Sequence, residues 1–136
     1  MAREIVEKAE LAINSGDIRL AETLLSDMSD GHKFFVKSLI SISKSDIDSA
    51  LDSIEKCINI VRTPKTRDAI LEARAKMIRG LARTSIEEIS EGGADLRWAM
   101  DRLGAIAPGS DEHGISILNV AAWHRQRSEM VMSLAT

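Results

Sequence analysis

"GDIRLA" (residues 16–21) has two looser echoes in the chain, "SDIDSA" (45–50) and "ADLRWA" (94–99). Aligned on their last residues, Ala21, Ala50 and Ala99 coincide. So do Asp17, Asp46 and Asp95, then Ile18, Ile47 and Leu96, and one turn further Leu25, Ile54 and Leu103. An Asp at a helix start accepts backbone N–H groups that have no partner inside the helix. A small Ala lets a second helix come close, and an apolar residue four positions on packs along the same face. The spacing therefore predicts that Asp17, Asp46 and Asp95 each open the second helix of a tight helix-turn-helix pair.

The rest of the chain reads as helix too. Apolar residues make up 44% of the 136 positions, enough for a sizeable core in a single domain spanning 1–136. Aromatics are only 3%, so Ile, Leu, Ala, Val and Met must fill that core. Eight Gly and two Pro are too few for a turn-rich all-β fold.

Helices are predicted over 3–14, from Asp17 through Met28, over 32–44 and over 47–61. The fourth has the cleanest pattern, with Ile47, Ala50, Ile54, Cys57, Ile58 and Val61 on one side. In "RTPKT" (62–66), Thr63 as cap and Pro64 at the first helical position predict a long fifth helix. It runs to about Ser90, with Gly80 at a close approach or bend, and Gly92-Gly93 ends it. A sixth follows from Asp95 to Ala107. After the loop "PGSDEHG" (108–114), a seventh spans 115–134, its apolar pattern Ile115, Leu118, Ala121 and Ala122 and further on Met130 and Leu134. This last segment reads as a capping or dimerisation helix.

The three turns resemble those of the tetratricopeptide-repeat family, built from paired helices of about 34 residues. Gly16, Asp17, Ala21 and Leu25 fit its turn and second helix, with Ala9 as the small residue of the first helix. Asp46, Ala50 and Ile54 fit the next unit, with Ser45 in place of Gly. Asp95, Ala99 and Leu103 fit the third, with Pro108 as terminator. Spacings of 29 and 49 between the Ala positions depart from the family's period, as does the lack of an early aromatic. The resemblance implies an all-α, irregular array of antiparallel hairpins, about seven helices in all, and a non-catalytic role in docking other proteins. A non-repeating bundle whose helix pairs share caps by general physics is the alternative.

No residue pattern points to catalysis, and no cofactor is expected. His32, His113 and His124 are isolated from one another, and none has the spacing of a metal motif. Cys57 falls on an apolar stripe and reads as a small buried hydrophobe. A single Cys rules out an internal disulfide and suits a reducing compartment, the cytoplasm. The N-terminus is charged from Arg3 and lacks a secretory signal. No apolar run reaches the roughly 20 residues of a membrane span.

Charge is unevenly placed. The whole chain has a net charge of −3, whereas residues 61–83 hold seven basic and two acidic side chains. Lys76, Arg79 and Arg83 recur at helical spacing beside Arg74. Three readings compete for this stripe: a solvated face, a dock for an acidic protein segment, or a contact with nucleic-acid phosphates. The negative total charge and the absence of neighbouring Tyr or Phe disfavour the last. On the docking reading, reversing the three charges abolishes capture and leaves helicity intact. Self-association is expected through Trp123, Met130, Val131 and Leu134, giving a homodimer.

Overall fold

The computed structural model describes the backbone of residues 2–135 and the side chains of residues 4–129. Among the described residues the protein is all-α, with no strand. The helices are α1 (Ala2–Asn14), α2 (Ile18–Leu24), α3 (Asp30–Ser43), α4 (Ile47–Val61), α5 (Ala69–Ser85), α6 (Ile89–Ile106) and α7 (Asp111–Ala135). Short 3₁₀ turns occupy Leu25–Asp27 and Pro64–Thr66.

Three connections share one backbone geometry. Gly16, Ser45 and Glu87 are left-handed, with φ of 86°, 61° and 69°. The residue after each enters the next helix with nearly equal dihedrals: Asp17 (−90°, 72°), Asp46 (−96°, 80°) and Glu88 (−84°, 64°). Its N–H donates back five residues, from Asp17 to the Ala12 carbonyl (2.7 Å), Asp46 to Ser41 (2.9 Å) and Glu88 to Arg83 (2.9 Å). These are the paired bonds of a Schellman helix end, which satisfy carbonyls the helix leaves open.

The Asp17 carboxylate then accepts from the Leu20 N–H (3.2 Å), and that of Asp46 from the Ser49 N–H (3.1 Å). The hydrogen bonds from Ser49 hold the Asp46 carboxyl below its usual range. Glu88, one methylene longer, makes no such cap bond.

The third unit therefore sits seven residues upstream of its predicted register. Asp95 does not start a helix; it lies inside α6. Gly92 and Gly93 do not end a helix either, and both are buried in α6. The fifth helix stops at Ser85, not Ser90. Its start also moves: Pro64 opens only the 3₁₀ turn, and Asp68 caps α5 by accepting the Leu71 N–H at 3.0 Å.

In the corrected register a small residue stands eight positions before each cap: Ala9, Ser38 and Gly80. Another stands four after it: Ala21, Ala50 and Gly92. A branched residue stands eight after: Leu25, Ile54 and Leu96. All six small residues are buried.

The chain divides into two compact units, Met1–Ala75 and Lys76–Thr136. In the first, α1 packs on α2 and α3, and α3 packs on α4. Phe35 and Val36 of α3 meet Ile54, Cys57, Ile58 and Val61 of α4 in its fully buried centre; the α4 residues, with buried Ala50, follow the stripe predicted for the fourth helix, whose first member Ile47 is half-buried. In the second, Met77, Leu96, Ala99, Val120 and Trp123 form the core, with Ile89, Trp98 and Met100 against it.

Close approach in the second unit depends on glycine. A Cβ at Gly80 would lie 2.8 Å from the Gly92 carbonyl oxygen, and one at Gly92 would collide with Thr84 Oγ1. A Cβ at Gly93 would collide with the Trp123 ring. In an unconstrained helix Gly→Ala stabilises by about 1 kcal/mol. Here overpacking, at about 1–3 kcal/mol, opposes that gain. Gly93→Ala is expected to lower unfolding free energy by up to about 2 kcal/mol in urea titration; a rise by the propensity term would show the α6–α7 contact to be looser than described.

Candidate interaction surface

The basic stripe of α5 is spent on partners inside the protein. Arg79 grips Asp95 in a bidentate pair, Nε to Oδ2 and Nη2 to Oδ1, both 2.8 Å. Arg83 adds Nη1 to Oδ2 at 2.9 Å. Planar guanidinium and carboxylate match in this geometry, which is the strong form of an ion pair. The Asp95 side chain is only 9% exposed. Lys76 is buried, with Nζ 3.5 Å from the centre of the Trp98 ring. Arg74 pairs with Glu10, and its guanidinium lies 4.7 Å over Phe35.

Asp95, the residue expected to cap a helix, thus draws together Arg79 and Arg83 of the stripe. Sequence spacing places Asp95 at a helix start and does not reveal its pairing from inside α6 with Arg79 of α5.

This geometry changes the expected result of charge reversal. Arg79→Glu would set a carboxylate against the shielded Asp95. Breaking one partner of such a pair costs about 3 kcal/mol when fully buried, and somewhat less here because the arginines are partly exposed. Arg79→Glu is expected to destabilise residues 76–129 and lose helical signal on mild heating, whereas Lys37→Glu, on an exposed side chain, leaves the melting temperature nearly unchanged. Equal melting of the two variants would contradict the Asp95 anchor.

Trp123 is likewise an internal residue. It is 5% exposed, its Nε1–H donates to the Ile89 carbonyl (3.0 Å), and Arg97 and Arg127 each lie 5.5 Å from its ring. It fixes α7 on α6, alongside buried Ser116 and Val120. The side chains of Met130, Val131 and Leu134 lie outside the described residues.

The apolar pattern read on α7 faces solvent. Ile115, Leu118, Ala121 and Ala122 point outward; Leu118 is 70% exposed and Ile115 50%. Sequence periodicity found the apolar stripe but not its direction, because Ser116 at a buried position breaks the inward pattern.

In the first unit, Lys8 and Lys37 are exposed at the same register, nine residues before their acidic caps. Lys37 and Lys56 approach the Phe34 ring at 5.2 and 5.5 Å. Leu11 on α1 is exposed as well.

The histidines have local partners: Ser29 Oγ for His32 (3.0 Å) and the Gly109 N–H for His113 (3.3 Å), while His124 meets the Trp123 ring edge-on. Among the described residues no group of His, Cys, Asp and Glu is arranged to hold a metal ion, and no helix is long and apolar enough to cross a membrane. Comparison with protein-family models, curated proteins and solved structures finds no match.

Cys57 is buried, and desolvation pushes its thiol up to about 12, with the Asp68 charge adding to the rise and Arg74 opposing it. The fold therefore favours the protonated thiol. That preference costs nothing below the unfolded value of 9.0 and destabilises the fold progressively from there to about 12. Unfolding free energy of the wild type is expected to fall above pH 9 more steeply than that of Cys57→Val, by up to ~1.4 kcal/mol per pH unit. Parallel curves in alkaline urea titrations would contradict this burial.

Proposed function

We propose that the protein is a non-catalytic protein-interaction module built from tetratricopeptide-like helical hairpins, working in the cytoplasm and docking an acidic partner segment. The observation that carries this reading is the threefold recurrence of one turn with one register: small residue, left-handed residue, acidic cap, small residue, branched apolar residue. Local consistency of this kind is what stacked helical repeats are made of. Units spaced unevenly still fit, because the register within each is constant and the insertions fall between them.

The docking surface on this reading belongs to the first helices of the first two units. Lys8 and Lys37 repeat at one register position there and are exposed, with exposed Leu11 on the same helix as Lys8 and the Phe34 ring 5.2 Å from Lys37 Nζ. Exposed cations steer an acidic segment into register, and the apolar pair adds area. The acidic dock and the phosphate contact read from the sequence both rest on Lys76, Arg79 and Arg83, whose charges meet Asp95 and Trp98 instead; the dock proposed here therefore uses Lys8 and Lys37.

The test is affinity capture on the wild type and on Lys8→Glu/Lys37→Glu, with helicity checked by circular dichroism. The expected result is a defined acidic-segment partner held at ~50 mM salt, weakened at ~300 mM, and lost from the double variant. A partner held equally by both proteins would overturn the surface. Absence of any reproducible partner would overturn the function.

A further inference from the structure

The outward face of α7 is built to match its own reverse. Leu118 lies at its centre. Ile115 and Ala121 stand three positions to either side, Gly114 and Ala122 four, and Asp111 and Arg125 seven. All seven side chains or backbones are exposed. Steps of three, four and seven keep residues on one helix face. The order along that face is therefore acid, small and branched, Leu, small and small, base.

We propose that this face pairs with the same face of a second copy, the two α7 helices running antiparallel about a two-fold axis through Leu118. In that arrangement Leu118 meets Leu118 of the second copy. Ile115 fills the space over Ala121, and Gly114 meets Ala122, so that the helices approach closely. Asp111 meets Arg125 of the second copy at one end, and symmetry repeats the pair at the other. An isologous contact of this kind must be self-complementary in shape and charge. A parallel pairing would set Asp111 against Asp111 and Arg125 against Arg125. The charge order thus selects both the occupant and its direction. This pairing uses neither Lys8 nor Lys37 and stands independently of the docking function.

The test is sedimentation velocity of the full chain from ~1 to ~300 µM, the range in which a modest helix-pair interface associates. The wild type is expected to pass from monomer to dimer. Asp111→Arg alone and Arg125→Asp alone each place like charges together and weaken the dimer by on the order of tenfold. Mixing these two variants restores near-wild-type association, because each base then faces an acid across the axis. Leu118→Glu gives a monomer throughout with an unchanged circular dichroism spectrum. A wild type that stays monomeric, a dimer that survives Leu118→Glu, or a mixture no tighter than its components would each overturn the proposal.

Discussion

The structure depends on how closely a helix can approach the one that follows it. In each of the three units a left-handed residue turns the backbone, and small residues placed eight before and four after the acidic cap are buried. At Gly80 and Gly92 the approach is close enough that a single added methyl group would meet backbone carbonyl oxygen. Ala9 with Ala21 and Ser38 with Ala50 hold the same positions in the first unit's helix pairs. The residues at these sites are therefore limited by volume, and the branched residues Ile54 and Leu96 are carried into the core behind them.

Much of this was legible in the sequence. The first two turns, their caps and the buried face of α4 follow from Gly16, Ser45, Asp17, Asp46 and the 3.6-residue period. The third turn was not, for a physical reason at each point. Glu87 occupies a left-handed position that usually advertises itself through Gly or Asn, so "SIEEIS" reads as uninterrupted helix. Gly92-Gly93 usually marks a helix end, and here both residues serve as spacers, one for Thr84 and one for the Trp123 ring. Asp95 has the residue type of a cap and the environment of an ion pair.

The interaction surface was legible to a lesser degree. Periodicity located every cation of the α5 stripe and every apolar residue of the α7 stripe. It could not say which way either pointed, because direction is set by partners distant in sequence: Asp95 for Arg79 and Arg83, and Ile89 and Gly93 for Trp123. Trp123 takes the inward place on α7 and fixes the helix's rotation. Leu118 and Ile115 are left outside as a consequence. One buried indole thus sets which face of α7 meets solvent over residues 111–129.

The third unit turns at Ile86–Glu88, and α6 runs unbroken through Gly92 and Gly93. Backbone NMR assignment tests it most directly. Cα shifts are expected to leave the helical range at Ile86, Glu87 and Glu88 and stay helical from Ile89 to Ile106, with the Asp95 amide slow to exchange. Helical shifts running through Glu87 to Ser90, with a break at Gly92-Gly93 and a fast-exchanging Asp95 amide, would contradict it.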